Sequence, residues 1–262
     1  MGTAAIQGEL WGAKAADWAE IQEPSWRPVF EFVLTTANVG PGTRLLDVGC
    51  GSGGLLAVAQ ARGAEPAGLD ASEALVAVAR KRLPNARIEV GEMEDLPFAD
   101  GEFDVVTGVN AFQFAGDPVR ALAEAGRVCR NDGAVVMLVW GERQKCELLA
   151  VAGAAIVPFL PANAGPPPLP FAEPGFMEDL MRQSGLGPTA AGDLKASLAF
   201  PSLEMAVRAV SSAGVATRAE RHSGMAKVRA AIATALGRYA RPDGSVSLDN
   251  QFRWVVATPQ RG

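Results

Sequence analysis

The residues with the clearest chemical meaning form a glycine-rich turn that is followed by an acid. Residues 45–53 read Leu-Leu-Asp-Val-Gly-Cys-Gly-Ser-Gly, and Asp70 follows about twenty residues later. An apolar run that ends in such a turn is typical of a buried parallel strand entering a helix, because glycine adopts backbone angles that a Cβ forbids. The free N–H groups of the helix point back at the turn, and a carboxylate at the end of the next strand accepts hydrogen bonds from ribose hydroxyls. The pattern predicts a nucleoside-binding site.

The glycine string alone leaves the cofactor open. Gly49-x-Gly51-x-x-Gly54 also fits the dinucleotide fingerprint, so an NAD-dependent oxidoreductase is one interpretation. Four downstream segments distinguish the alternatives: GEMEDLPF at 91–98, FDVVTGVN at 103–110, DP at 117–118 and RV at 127–128. In this order and spacing the chain resembles the class I S-adenosylmethionine-dependent methyltransferases, in particular the small-molecule branch typified by ubiquinone and menaquinone C-methyltransferases. The resemblance covers residues 40–141 well and the remainder in outline.

The resemblance implies S-adenosylmethionine as cofactor and S-adenosylhomocysteine as product. It assigns twelve residues to the cofactor: Trp18, Asp47, Gly49, Gly51, Ser52, Gly53, Asp70, Ala71, Glu92, Met93, Val109 and Asn110. Glu92, which stands where the family more often has Asp, is expected to receive the adenine amino group, and Met93 to offer its backbone N–H to the ring. Trp18 is expected to close over the sulfonium, because a cation against an indole face is favourable. The alternative for Trp11, Trp18 and Trp26 is that they pack the N-terminal segment onto the domain.

The implied reaction is in-line transfer of a methyl group to an oxygen, nitrogen or carbon atom of a small organic acceptor. Holding the reactants collinear supplies most of the acceleration, so no metal or covalent nucleophile is required. A general base is needed only if the acceptor must lose a proton, and the catalytic residue is therefore unknown. Three side chains are candidates: His222, Gln113 and Glu142. The competing interpretation of His222 is an exposed helix residue, and Glu94 and Asp95 are interpreted as solvated loop charges.

The spacing of apolar residues predicts strands that alternate with helices. The predicted strands are 43–49, 65–70, 86–91, 103–109 and 133–140, and the helices between them are 53–62, 72–83 and 117–130. Ser72 and Asp117 are predicted N-caps, and residues 131–133 a turn. Such alternation predicts parallel strands with helices on both faces. Together with the resemblance it predicts a doubly wound, seven-stranded, mostly parallel sheet of the Rossmann-like methyltransferase fold, in which the last strand is antiparallel.

The remainder of the chain is predicted to decorate a single domain that spans residues 1–262. Beyond residue 140 the predicted elements are helices 144–157, 173–184, 202–213 and 217–239, and strands 189–199 and 251–258. The predicted parts are a helical leader at 1–39, a core at 40–141, 173–200 and 247–262, and a helical cap made of insertions at 142–172 and 201–246. Seven prolines between residues 158 and 174 predict an extended lid that becomes ordered when ligands bind.

Composition limits the partners. The net charge is −5 and the pI about 5.1, which disfavours nucleic acid as a partner because no basic stripe is present to neutralise phosphates. Cys50, Cys129 and Cys146 are too scattered for a disulfide framework or a zinc site, so a reducing cytoplasm is expected. A secretory signal is not found and no apolar stretch reaches membrane length, so no membrane partner is expected. The sequence leaves the acceptor and the oligomeric state undetermined, and a binding module that has lost its chemistry remains a further interpretation.

Overall fold

Seven strands form one sheet in the order β3-β2-β1-β4-β5-β7-β6. The computed structural model describes residues 2–162 and 170–260. The strands are β1 (Arg44–Val48), β2 (Glu65–Asp70), β3 (Arg87–Val90), β4 (Phe103–Val109), β5 (Cys129–Trp140), β6 (Leu186–Phe200) and β7 (Val246–Pro259). Strands β1 to β5 pair in parallel, and β7 runs antiparallel to both of its neighbours, β5 and β6. The predicted fold class is confirmed.

Helices flank this sheet and also form the N-terminal segment. They are α1 (Ala4–Gly12), α2 (Ala15–Asp17), α3 (Glu23–Ser25), α4 (Arg27–Thr36), α5 (Gly54–Ala61), α6 (Glu73–Arg82), α7 (Pro118–Val128), α8 (Glu147–Ala155), α9 (Phe176–Gln183), α10 (Leu203–Ser211), α11 (Gly214–Ser223) and α12 (Met225–Leu236). A π-helical turn at Trp18–Gln22 joins α2 to α3. Short 3₁₀ turns lie at Phe112–Phe114, Arg143–Lys145, Val157–Phe159 and Gly237–Tyr239.

The core has two layers, one on each face of the sheet. Successive side chains of a strand point to opposite faces, and in β1 Leu45 belongs to one apolar cluster while Leu46 belongs to the other. Helices α4, α5 and α12 contribute to the first cluster, and α7 and α9 to the second. The two predicted helix starts are confirmed, because Ser72 accepts the N–H of Leu75 and Asp117 accepts the N–H of Arg120. Both faces of the sheet are therefore covered, as parallel strands require.

The direction of the sheet order reverses between β1 and β4. From β1 the chain proceeds outward through β2 and β3, and it then returns to place β4 on the other side of β1. Crevices at the carboxyl ends of strands at such a reversal are the usual ligand sites of open α/β sheets. The turn after β1 and the loop after β4 meet there, since a Cβ on Gly49 would lie 2.5 Å from the Cβ of Ala111.

Several predicted boundaries are wrong. The predicted helix 217–239 is two helices, α11 and α12, because Gly224 has φ +94° and interrupts the helix. The predicted turn at 131–133 lies inside β5, which begins at Cys129 and carries a register irregularity against β4. Strands β6 and β7 are longer than predicted because they pair with each other from Leu186 to Phe200.

The insertions after β5 and β6 pack together into one helical cap. Helix α12 contacts α8, α10 and α11, and α11 in turn contacts α1 of the leader. Ion pairs join the leader to the cap, among them Lys14–Glu220, Arg208–Asp17 and Arg221–Glu9. The predicted lid is described only in part, because residues 163–169 lie outside the described ranges. Within those ranges no helix is long and apolar enough to cross a membrane.

Candidate active site

The backbone N–H groups of the glycine turn are all bonded within the chain. Gly49 and Cys50 donate to the carbonyl oxygen of Leu69, and Gly53 donates to that of Cys50. The N–H of Gly51 donates to Asp70 Oδ2 at 2.8 Å, and the N–H of Ser52 donates to Glu23 Oε1 at 3.0 Å. The turn therefore presents carboxylates to a ligand in place of free N–H donors.

Glu23 is a site residue that the sequence did not reveal. Its side chain is buried, and it also accepts hydrogen bonds from the Ser52 hydroxyl and from Arg82. It lies so close to α5 that a Cβ on Gly54 would be 2.7 Å from Glu23 Cδ. In the sequence it is an acid one residue before Pro24 in a tryptophan-rich segment, and no local rule connects residue 23 with residue 52.

Three acids surround the turn. Asp47 is buried and accepts a hydrogen bond from Thr107 Oγ1 at 2.7 Å. Burial raises the pKa of Asp47 to about 7, and the negative charges of Glu23 and Asp70 contribute to the rise. Burial also raises the pKa of Asp70. The N–H groups of Ser72 and Gly51 donate to its carboxylate and oppose this rise. The cluster is a favourable environment for a cation and an unfavourable one for an anion.

The π-helical turn brings Trp18 and Glu23 to the same place. The N–H of Glu23 donates to the carbonyl oxygen of Trp18, which closes one circuit in five residues. In a regular α-helix two residues five apart would lie about 140° apart around the axis. A Cβ on Gly51, where φ is +55°, would lie 3.2 Å from Trp18 Nε1 and 3.1 Å from Glu23 Oε1. Trp18 Nε1 is buried and finds no partner among the described residues, so its N–H, and not only its indole face, is directed at the turn.

The other leader tryptophans have packing contacts. The rings of Trp11 and Trp18 meet edge to face at 5.0 Å, and Trp11 also contacts Phe114. Trp26 is buried against Trp140 and Phe252. The packing interpretation therefore applies to Trp26, whereas Trp18 lies at the glycine turn.

Glu92, which is expected to bind adenine, contacts the start of α1. Glu92 Oε2 accepts the N–H of Ala4 at 3.0 Å, and Glu92 Oε1 accepts the N–H of Met93 at 3.0 Å. Ala71 lies under the same helix, since a Cβ on Gly8 would be 2.2 Å from its carbonyl oxygen. Helix α1 thus covers this part of the site.

Glu94 was interpreted as a solvated charge, and this is wrong. Glu94 is buried and accepts the N–H of Asp117 at 2.9 Å, which ties the loop after β3 to the start of α7. The neighbouring Asp95 is exposed, as expected.

Asn110 and Gln113 form a polar pair at the end of β4. Asn110 has φ +50°, an uncommon conformation for a residue with a side chain, and it follows Val109, which is partly buried. The backbone N–H of Trp140 donates to Asn110 Oδ1, which also accepts from Gln113 Nε2 at 2.9 Å. Because a backbone N–H can only donate, these bonds leave Asn110 Nδ2 and Gln113 Oε1 as buried groups without a partner among the described residues. The pair offers one donor and one acceptor.

The other two base candidates are solvent-exposed. His222 lies exposed in the last turn of α11. Glu142 is exposed after β5 and pairs with Lys145 at 2.6 Å. Among the three candidates, the structure brings only Gln113 together with a predicted cofactor residue.

A different surface feature lies at the opposite edge of the sheet. A groove of about 620 Å³ is lined there by residues that include Thr43, Asp104, Arg130 and Thr258. It contains none of the predicted site residues and faces the amino ends of the parallel strands, which is the edge that open α/β sheets seldom use for ligands. Within the described residues no group of three His, Cys, Asp or Glu side chains is placed to hold a metal ion.

Known proteins are similar to this chain in sequence and in fold. The family described as "Methyltransferase domain" matches residues 46–137. A ubiquinone biosynthesis O-methyltransferase of Thiobacillus denitrificans is 33% identical over 193 residues, which cover 66% of this chain and 82% of that protein. A solved structure of a putative methyltransferase from an antibiotic biosynthesis pathway of Anabaena variabilis has a TM-score of 0.62 and 18% identity, covering 88% of this chain and 96% of that one.

The first curated relatives are matched over a part of their length. An uncharacterized protein in a transposon of Streptomyces fradiae is 39% identical over 111 residues, which cover 40% of this chain and 32% of that protein. The match to the Thiobacillus protein, in contrast, extends over 82% of that protein. The chain belongs to the class I S-adenosylmethionine-dependent methyltransferases.

Proposed function

We propose that this protein transfers a methyl group from S-adenosylmethionine to an oxygen, nitrogen or carbon atom of a small organic acceptor. The observation that carries the proposal is the glycine turn, where five consecutive N–H groups are satisfied internally and three carboxylates, Asp47, Asp70 and Glu23, surround the ligand position. A nucleoside with a cationic 5′ substituent fits this environment, and S-adenosylmethionine carries both a sulfonium and an ammonium group.

The chain supplies groups for each part of such a cofactor. Asp70 is partly exposed, and each of its carboxylate oxygens accepts one backbone N–H, from Gly51 or from Ser72. Each oxygen can accept a further hydrogen bond from a ribose hydroxyl. The positive φ angles of Gly49 and Gly51 allow the backbone to approach a ligand without an intervening Cβ. The unpartnered N–H of Trp18 is a donor for the carboxylate of the amino-acid portion. When bound, the cofactor supplies an activated methyl group whose leaving group is a neutral thioether.

The acceptor is proposed to be held by the polar pair and the aromatic rings beside it. Gln113 Oε1 and Asn110 Nδ2 orient a hydroxyl, carbonyl or amine, while Phe114 follows Gln113 in the chain and Trp140 donates its backbone N–H to Asn110. Orientation and exclusion of water by the leader and the cap supply the acceleration, and a base is needed only where the acceptor must lose a proton. The Thiobacillus relative is named for ubiquinone biosynthesis and O-methylation, which is consistent with a moderately hydrophobic natural-product or quinone-like acceptor. Nucleic acid is not proposed as an acceptor, and a cytoplasmic location is proposed on the basis of three buried cysteines without disulfides.

An NAD-dependent oxidoreductase is the second candidate, and the turn argues against it. A dinucleotide places its pyrophosphate on the free N–H groups at the start of the helix, but the N–H of Ser52 already donates to Glu23. A binding module without chemistry would share the same cofactor site.

Two measurements test the proposal. Calorimetric titration with S-adenosylhomocysteine and with NAD is expected to show binding of the first only. A screen of small phenols, quinols, amines and carboxylic acids with a radiolabelled methyl donor is then expected to label at least one acceptor. Binding of NAD alone would contradict the proposed cofactor, and binding of S-adenosylhomocysteine without labelling of any acceptor would favour the binding module.

A further inference from the structure

The carboxylate of Glu23 occupies the place where a glycine-rich turn ordinarily receives phosphate. In nucleotide-binding turns the N–H groups at the start of the helix point at a phosphate group. Here Glu23 accepts the N–H and the hydroxyl of Ser52, and it lies against Gly54, the first residue of α5. Glu23 is 4% exposed and Ser52 is fully buried. The chain thus contributes its own anion to the turn.

The charge at Glu23 is held in a fixed position. Arg82 pairs with Glu23 Oε2 and also donates to the carbonyl oxygen of Ala19, so the guanidinium is already engaged on both sides. Arg82 balances the charge of one of the three carboxylates, that of Glu23, so the surroundings of the turn stay electronegative when Asp47 and Asp70 are ionised as well. A second anion at this place would meet both an occupied donor and like charge.

We propose that Glu23 determines cofactor specificity by making this turn reject nucleosides that carry a 5′ phosphate. The inference rests on the proposed cofactor, because it places a ribose on Asp70 and directs the 5′ substituent over the turn. Glu23 excludes phosphate in two ways: its carboxylate occupies the N–H of Ser52, and its negative charge repels a second anion at the same place. The acid at position 23 selects a nucleoside whose 5′ substituent is cationic or neutral.

The test compares the affinity for adenosine with the affinity for ADP within each protein. Both compounds are titrated as competitors of S-adenosylhomocysteine, at constant salt, in the wild-type protein, in Glu23→Gln and in the control Glu20→Gln. Glu20 belongs to the same π-helical turn, but its side chain is exposed. We expect adenosine to bind the wild-type protein more tightly than ADP by on the order of tenfold or more, since like-charge juxtaposition is costly. Glu23→Gln should reduce this ratio by about tenfold, and Glu20→Gln should leave it unchanged.

The ratio of the affinities for adenosine and ADP distinguishes a specificity role of Glu23 from a purely structural one. If Glu23 only supports the fold, its loss weakens adenosine and ADP equally and the ratio does not move, which overturns the proposal. If Glu23→Gln does not fold, the wild-type protein alone is decisive, because equal affinity for adenosine and ADP contradicts phosphate exclusion. Failure of the proposed function gives a different result, since S-adenosylhomocysteine would then not bind at all.

Discussion

Glu92 accepts the backbone N–H of Ala4 at 3.0 Å with one carboxylate oxygen and the N–H of Met93 with the other. The two groups that the family resemblance assigns to adenine are thus bonded to the chain itself. A purine that enters this place must take over or share these hydrogen bonds while α1 stays over it.

The contact between Gly8 and Ala71 provides a test of this covering role. A side chain at position 8 would meet the Ala71 carbonyl oxygen, because a Cβ there would lie 2.2 Å from it. We expect Gly8→Leu to weaken S-adenosylhomocysteine binding by roughly five- to hundredfold, since overpacking costs about 1–3 kcal/mol. Ala5→Leu, at an exposed position of the same helix, is the control. Calorimetric titration measures both, and equal affinities would show that α1 does not cover the ligand.

Asp70 is expected to contribute directly to cofactor affinity. Asp70→Ala removes a charged acceptor from the ribose position, and affinity for S-adenosylhomocysteine should fall more than tenfold, or about 1.5–3 kcal/mol. The same change removes the acceptor of the Gly51 and Ser72 N–H groups, so melting temperature must be measured alongside. A stable variant with unchanged affinity would place the nucleoside elsewhere.

Gly51→Val is expected to abolish binding. The φ angle of +55° is unfavourable for a branched residue, and its Cβ would lie 3.2 Å from Trp18 Nε1 and 3.1 Å from Glu23 Oε1. Gly42→Val is a suitable control, because Gly42 has a similar φ of +76° with nothing within 4 Å of its added Cβ. Both variants carry backbone strain, but only the first fills the ligand position. Normal titration of Gly51→Val with S-adenosylhomocysteine would show that this turn is purely structural.

Burial of Asp47 predicts that the stability of the protein depends on pH. Its pKa is raised from 3.8 to about 7 by burial, so the folded protein keeps a proton that the unfolded chain has lost within this range. The free energy of unfolding therefore contains a contribution that falls as pH rises through this window and is constant above it. Asp47→Asn has no titrating group at this position and lacks this pH-dependent part of the free energy of unfolding. The melting temperature of the variant minus that of the wild type should therefore rise between about pH 5 and pH 8. A difference that is constant with pH, measured by thermal denaturation, would contradict the raised pKa.

Gln113 is expected to act on the acceptor and not on the cofactor. Its Oε1 is buried without a partner among the described residues, while its Nε2 is held by Asn110. With an identified acceptor, Gln113→Ala should lower kcat/KM by about tenfold, the effect of one hydrogen bond of about 1.4 kcal/mol. Affinity for S-adenosylhomocysteine should stay within about twofold, since Asn110 Oδ1 loses its bond from Gln113 Nε2 but keeps the bond from the backbone N–H of Trp140. Loss of cofactor affinity with unchanged acceptor kinetics would reverse the assignment.

His222 is expected to have a small effect. It is exposed in the last turn of α11, and a working base is normally oriented by a partner. His222→Ala should reduce turnover less than about tenfold, in contrast to the roughly hundredfold to ten-thousandfold loss that removal of a general base causes. A large loss in a pH–rate series, with unchanged cofactor affinity and melting temperature, would place His222 at the reacting atoms.

Features that depend on neighbours along the chain were determined by the sequence itself. The alternation of strands and helices, the positive φ of Gly49, Gly51 and Gly53, and the caps at Ser72 and Asp117 all follow from local spacing. The fold class and the placement of the candidate site at the carboxyl ends of β1 and β4 could be predicted for this reason.

The tertiary structure decided which groups meet at the site. Glu23 reaches Ser52 because a π-helical turn rotates it onto the side of Trp18, and no periodicity in the sequence indicates such a turn. Burial of Glu94 depends on the N–H of Asp117, which lies 23 residues away. The occupied N–H groups of the glycine turn likewise depend on acids from other elements. These contacts are long-range and specific to the packed chain, whereas the sequence pattern reports only local conformation and burial.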